Sequence, residues 1–325
     1  MYSRKYFMRR HLITILVLLP LGLWAQKIDH TSSYRAMENE RYFRFHYDND
    51  YFAATDENYT QGYSFELVSP KLEKNPVNYV FLKPKDVTTK YGLAIEHIGF
   101  TPNDYVSKAI QFGDRPFSSA IMLKSFAIAT DTIRKRRISQ GLSLGLIGPG
   151  AFGKEMQVGI HEATGNKIPG GWDNQIKNDV VVNYRIDYEK QLYNYNNLIT
   201  LQAQTTVQLG TLFTNASVGF NTRLGLFNSV FSTTQHKKNF QIYAYAQPMV
   251  SVIGYDATLQ GGLINTDSPY TIASNEIERL TAQFNFGLVL KTKTLYFEYT
   301  RSAITREFES GASAKWGGIR IGFTF

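Results

Sequence analysis

Phe43-Arg44-Phe45-His46-Tyr47-Asp48 and Tyr63-Ser64-Phe65-Glu66-Leu67 decide how this chain folds. In both, apolar and polar side chains alternate, which sends them to opposite faces of an extended strand. Between them lie Asn49-Asp50-Tyr51 and then Thr55-Asp56-Glu57-Asn58-Tyr59-Thr60-Gln61-Gly62, dense in Asn, Asp and Thr. The whole reads as a β-hairpin closed by a polar loop. Asn, Asp and Gly favour turns for backbone reasons, so a plain polar turn accounts for this composition. A loop this rich in carboxylate and amide oxygens is also a candidate site for a hard cation.

The same alternation recurs along the chain. Val182, Tyr184, Ile186 and Tyr188 enclose Asn183, Arg185 and Asp187; Ala282, Phe284, Phe286, Leu288 and Leu290 enclose Gln283, Asn285 and Gly287; Leu295, Phe297 and Tyr299 enclose Tyr296 and Glu298. Twelve such strands are expected, near 41–49, 60–69, 90–100, 117–130, 137–147, 178–191, 198–211, 215–227, 239–253, 276–291, 294–305 and 316–325. In a soluble sandwich the apolar face meets a second sheet. Here the polar faces are rich in Gln, Asn and Arg, and no helical segment offers the apolar face a cover. With 21 Tyr and 22 Phe in the chain, the pattern fits an all-β outer-membrane barrel: lipid outside, polar lumen inside, and no open edge in hydrocarbon.

The N-terminus agrees. Arg4, Lys5, Arg9 and Arg10 precede an apolar run, Leu12 to Trp24, that ends at Ala25-Gln26 and is broken by Pro20. This describes a cleaved signal peptide, residues 1–25, too short to span a bilayer comfortably. The barrel domain is then 26–325. Losing those four basic residues lowers the net charge from +8 to +4, which does not suggest nucleic acid. The absence of cysteine excludes disulfides, thiolate zinc sites and a cysteine nucleophile.

With a periplasmic N-terminus, the external loops are 50–59, 101–116, 148–177, 212–214, 254–275 and 306–315. One rim then gathers Asn49 to Thr60, a second stretch from Thr101 through Lys108 to Pro116, and a third from Gly148 through Gln157 and His161 to Trp172. Gln157 and His161 share one face if Lys154 to Ala163 is a helix. His161 suits a general base; a hydrogen-bonded surface histidine is the plainer alternative. His46 should point into the lumen in a structural role. Gly141-Leu142-Ser143-Leu144-Gly145 matches a hydrolase nucleophile pattern, but it lies inside a strand rather than at a strand-to-helix turn, so Ser143 is assigned no chemistry.

Together these rim stretches resemble the outer-membrane lipid A 3′-O-deacylase family. The resemblance rests on Asn49-Asp50, Thr55-Asp56, Tyr59-Thr60-Gln61-Gly62, Gly113-Asp114-Arg115-Pro116, Ile147-Gly148-Pro149-Gly150, Gln157, His161, Gly171-Trp172, Tyr255-Asp256-Ala257-Thr258 and Glu307-Phe308. It implies a monomeric barrel in the Gram-negative outer membrane. The implied activity is a Ca2+-dependent esterase that removes the 3′-linked acyloxyacyl group of lipid A in lipopolysaccharide. Carried over by position, His161 is the catalytic histidine with Gln157 beside it, and Asn49, Asp50 and Thr60 are the first-loop residues. Asp50 and carbonyl oxygens near Asn49 hold the cation. Lys108, the lysine of the second loop, is shifted in spacing, and Lys167 stands near the place of an acidic residue a turn beyond the histidine. Two other readings compete: a phospholipase-type acyl hydrolase, which would want a Ser–His pair, and a non-enzymatic channel or structural barrel.

Overall fold

The computed structural model describes residues 31–53, 61–232 and 238–325. Residues 1–30, with the expected signal peptide, and Thr60 lie outside these. The described residues form twelve antiparallel strands closed into one barrel, each paired with its sequence neighbours, and the first with the last. They are β1 (Tyr42–Asn49), β2 (Gln61–Val68), β3 (Thr88–Phe100), β4 (Ser118–Asp131), β5 (Arg136–Ile147), β6 (Asp179–Tyr195), β7 (Ile199–Gly210), β8 (Phe213–Leu226), β9 (Gln241–Asp256), β10 (Leu280–Lys291), β11 (Leu295–Ile304) and β12 (Ala314–Thr324). Closure comes from β1 against β12, Tyr42 opposite Thr324 through Asn49 opposite Gly317. No backbone edge is left for hydrocarbon, where an unpaired N–H or C=O is costly.

The alternation sorts the side chains as expected. Along β1, Tyr42, Arg44, His46 and Asp48 are buried in the lumen, while Phe43, Phe45 and Tyr47 face outward. Leu123, Leu144, Val182, Leu288 and Phe297 are among the apolar side chains exposed on the outer wall, the surface that lipid would cover. Ser143 is buried on the lumen side with Leu144 exposed on the wall, so the hydrolase-like pattern in β5 is strand and nothing more.

Side chains fill most of the lumen. Several of its charges are paired: Arg44 with Glu66 at 2.7 Å, Lys124 with Glu96 at 3.0 Å, and Glu298 with both Arg35 at 2.8 Å and Arg320 at 3.0 Å. Charges removed from water persist when partnered in this way. The segment before β1 enters this space. A 3-10 turn at Ser33–Arg35 is wholly buried. Tyr34 stacks on Tyr245 at 4.1 Å and donates to Gln247 at 2.8 Å. The Ser33 amide donates to Glu189, and Lys291 donates to the Ala36 carbonyl. Nothing in the composition of Ser32-Ser33-Tyr34-Arg35 announces a plug. The sequence pattern begins its first strand near residue 41 and does not foresee it.

Helical cover exists where the sequence suggested none. Helix α1 (Gly153–Thr164) spans the expected Lys154–Ala163; a short α2 (Ala257–Gln260) follows β9. No helix among the described residues is long and apolar enough to cross a membrane. Helix α1 and the 3-10 turns Pro70–Lys74 and Pro76–Val80 lie against the outside of the barrel, at opposite ends.

Candidate active site

The rim stretch that opened the sequence argument is built by a strand that stops early. β1 ends at Asn49, and the chain turns at once into a 3-10 turn, Asp50–Ala53. On a continuing strand the two neighbouring side chains would have gone to opposite faces; ending the strand releases them from that rule. Asn49 keeps to the outer face, where its Nδ2 donates to the Tyr47 hydroxyl at 3.3 Å. Asp50 is 3 % exposed. Phe52 swings over β12 and meets the Tyr47 ring edge-on at 6.1 Å. A Cβ on Gly317 would lie 2.7 Å from the Phe52 Cβ, so glycine at 317 is what admits the turn.

Helix α1 comes to the same patch of wall from the third external loop. His97 of β3 faces outward beside Leu93 and Ile95, yet it is fully buried. Its Nε2 donates to the Ala151 carbonyl at 2.9 Å, and its ring stacks on Tyr63 at 4.9 Å. Gly153, the first helical residue, sits on Ser119 of β4. A Cβ there would come within 2.5 Å of the Ser119 side chain and 2.7 Å of Trp172. One turn on, the Met156 sulfur accepts from the Tyr63 hydroxyl at 2.5 Å. Tyr63 is the cross-strand partner of Tyr47. Two outward tyrosines therefore connect Asn49 on the wall to the helix that carries Gln157 and His161. All of them stand at one rim, on the lipid side of the barrel.

His161 is 9 % exposed and held from two sides. Its Nδ1 lies 2.6 Å from the Lys167 carbonyl oxygen. A carbonyl only accepts, so Nδ1 carries the proton, and Nε2 of the neutral ring keeps its lone pair. The resemblance put Lys167 near the place of an acidic residue; here the backbone carbonyl of Lys167 orients the ring, and its side chain is not needed for that. Tyr105, from the second loop, meets the imidazole edge-on at 5.4 Å. Gln157 is buried, its Oε1 accepting from Trp172 Nε1 at 2.6 Å, which leaves the amide NH2 as its donor. Trp172 packs on Phe117 at 5.1 Å.

Lys108 is exposed, and its side chain is not hydrogen-bonded to His161, whose ring is held by the Lys167 carbonyl. The Lys108 carbonyl accepts from Asn174 at 2.9 Å, and its Cγ would be 3.1 Å from a Cβ on Gly170. Tyr105 to Lys108 thus run along Gly170 to Asn174, with the Gly170 amide donating to Tyr105 at 3.0 Å. Lys154 reaches Asp173 at 2.7 Å across the loop. That hydrogen bond, and then the ammonium charge, hold the Asp173 carboxyl below the usual carboxylate range. Further back, Arg115 is fully buried over the Phe100 ring at 4.1 Å. It donates to Glu307 and, at 2.8 Å, to Thr258, whose hydroxyl donates to Asp256 at 2.6 Å. The motif pieces from three separate loops are one cross-braced scaffold behind the helix.

Among the described residues no three His, Asp or Glu side chains converge as a metal cluster. Among the described residues of the first loop, the Asp50 carboxylate and Asn49 Oδ1 are hard oxygen donors; because Nδ2 is turned to Tyr47, Oδ1 points away from it. Sequence reasoning named Asn49, Asp50, Gln157 and His161, and the fold brings them to one rim. It missed Tyr105, the Trp172 bond to Gln157 and the Lys167 carbonyl. A backbone oxygen has no sequence signature, but a histidine at an outward position of β3 was a readable sign that something covers the wall.

A closed twelve-strand antiparallel barrel with an apolar outer wall is an outer-membrane barrel protein. The family model for outer membrane protein LpxR matches residues 12–325, and the chain belongs to that family. Among solved structures, LpxR from Salmonella typhimurium matches with a TM-score of 0.71 at 19% identity, covering 87% of this chain and 100% of that one. The β domain of the Bordetella autotransporter BrkA matches at 8% identity with a TM-score of 0.47, covering 88% and 99%. At 19% identity the likeness to the Salmonella structure speaks for the fold. No curated protein matches the sequence. The chain resides in the Gram-negative outer membrane, in keeping with the family description, an outer membrane protein, and with its barrel fold.

Proposed function

We propose that this protein is a calcium-dependent esterase that removes the 3′-linked acyloxyacyl group from lipid A of lipopolysaccharide. The observation that carries the reading is His161: an imidazole fixed through Nδ1, with Nε2 left as a base, on a helix laid against the outside of the wall. A lipid in the outer leaflet reaches that place without entering the barrel.

His161 Nε2 takes a proton from water, and the water oxygen attacks the ester carbonyl carbon. The Gln157 NH2 lies one helical turn away and serves as a donor to the oxygen that becomes negative. When that intermediate collapses, the bond from the acyl carbon to the 3′ oxygen breaks. The proton held by His161 passes to that oxygen, giving a free acid and a sugar hydroxyl. Asp50 and Asn49 would hold calcium, which when bound polarises a carbonyl as a Lewis acid. Tyr105 walls the imidazole. Lys108, exposed toward the headgroup layer, suits a lipid A phosphate. Thr60 belongs to the same proposal through its match to the family's first-loop threonine. A monomer suffices, since every group named comes from one chain.

The phospholipase-type reading lacks its nucleophile: no described serine hydroxyl is hydrogen-bonded to the His161 ring. The channel reading is opposed by the mostly filled lumen. Mass spectrometry of lipid A from cells with and without the protein tests the proposal. The expected product has lost one acyloxyacyl group at the 3′ position. Unchanged lipid A, with phospholipids cleaved instead, would reject it.

A further inference from the structure

The Lys- and Pro-rich connection between β2 and β3 reads in sequence as a long internal turn. In the structure it climbs the outside of the barrel at the end opposite His161. Asn75 donates to Ser125 of β4 at 3.2 Å. The Leu82 amide donates to Gln140 of β5 at 2.7 Å, and Gln140 returns a bond to the Leu82 carbonyl at 3.0 Å. Tyr184 of β6 donates to the same Gln140 at 2.9 Å, and Phe81 is buried against the Tyr184 ring. Ser125, Gln140 and Tyr184 all lie on the outward face of their strands, as their registers with Leu142 and Ala127 require. Bare in hydrocarbon, an unpaired amide or hydroxyl is costly; the segment provides their partners.

Its other side is the anomaly. Tyr79 is 83%, Val80 55% and Leu82 60% exposed. These side chains continue the apolar wall formed by Leu123, Leu144 and Val182. Beside them Lys71, Lys74, Lys83 and Lys85 are exposed, with Lys83 Nζ 4.9 Å from the centre of the Tyr79 ring. Apolar side chains adjoining the lipid band, next to ammonium groups on long flexible stems, describe a segment at a bilayer interface.

We propose that residues 70–85 are an interfacial foot that binds anionic phospholipid of the periplasmic leaflet. Tyr79, Val80 and Leu82 lie among the upper acyl chains, and the four lysines meet the headgroup phosphates. The foot thereby clamps the β3–β6 side of the barrel, the side on which α1 rests at the other rim. This does not depend on the reaction proposed above.

The chain contains no cysteine, so single nitroxide labels can be placed cleanly. Full-length protein carrying Tyr79→Cys or Leu82→Cys is refolded into vesicles of phosphatidylcholine with or without phosphatidylglycerol. Leu144→Cys serves as the lipid reference and Asn196→Cys, in the exposed β6–β7 turn, as the water reference. Labels at 79 and 82 should collide with oxygen several-fold more often than with an aqueous nickel complex, as at 144. Adding phosphatidylglycerol should raise that ratio at 82, and K71Q/K74Q/K83Q/K85Q should abolish the rise. Collision ratios at 79 and 82 equal to those at 196 would overturn the proposal. So would shielding from both reagents, which means protein covers the segment, or an indifference to phosphatidylglycerol with all four lysines present.

Discussion

The lumen and the outer wall near α1 both carry polar side chains, but they are polar for different reasons. In the lumen every strand contributes, several of the charges pair, and the N-terminal strap through Tyr34 and Arg35 takes up part of the space. On the wall the polar groups are few and out of pattern: His97, Ser119 and Asn49 stand where lipid would be expected, and each is met by α1, by the 149–151 turn before it, or by a wall tyrosine. The lumen's polarity follows from closing a barrel and stabilises it. The wall's polarity has no such structural cause, and the chemistry is assigned there.

That division can be broken or sharpened by mutation. His161→Asn keeps a hydrogen-bonding side chain but no base of suitable strength, so turnover should fall about 10²–10⁴-fold with lipid binding little changed. Lipid A turnover by refolded protein measures this, and normal turnover would move the chemistry elsewhere. Asp50→Ala, or excess chelator on the unaltered protein, should also abolish deacylation while the barrel stays folded. Calcium should restore the chelated protein better than magnesium, whose octahedral demands are stricter.

On the lumen side the expected loss is reversed. Glu298→Gln leaves Arg35 and Arg320 without their carboxylate, which should cost about 3–5 kcal/mol of stability by denaturant titration. Turnover by the surviving folded fraction should stay near normal. A smaller effect is expected from Gly153→Val. The added Cβ meets Ser119 and Trp172 and lifts α1 from the wall, and a misplacement of about 1 Å can cost up to about 10²-fold in rate. Its unfolding midpoint should match that of the unaltered barrel. Lys154→Ala should do least. The Asp173 partner is exposed, its carboxyl is held below the usual range, and the Lys154 ammonium is held above its own. The tether is therefore complete between those limits, lost as pH falls through the Asp173 value or rises through the Lys154 value. Its removal should leave stability unchanged.

Most of the barrel was legible because a strand announces itself locally. A run such as Ala282 to Leu290 alternates at every step, and the observed β10 at Leu280–Lys291 differs from the expected 276–291 mainly at its start. There residues 276–279 pair in a loop, with the Glu278 amide donating to Glu307. The site was legible as a set of residues but not as a place. Asn49, Asp50, Gln157 and His161 could be named from the chain, whereas the side of the wall on which α1 would lie depended on contacts distant in sequence, Tyr63 with Met156 and His97 with Ala151. The strap at 31–39 and the foot at 70–85 were illegible for the same reason. Neither has a periodic pattern, and each is held by side chains presented by other strands. The clue available in advance was the exception: Gln140 among Ile138, Leu142 and Leu144, and His97 after Leu93 and Ile95.

The claim that substrate meets the protein on the wall and not in the lumen has one direct test. Benzoylphenylalanine is placed at Tyr105, beside His161, or at Met249, which lines a lumen cavity of about 40 Å³. Both proteins are then irradiated in outer membranes. Lipid A should cross-link at position 105 and not at 249; cross-linking at 249, with none at 105, would contradict the account.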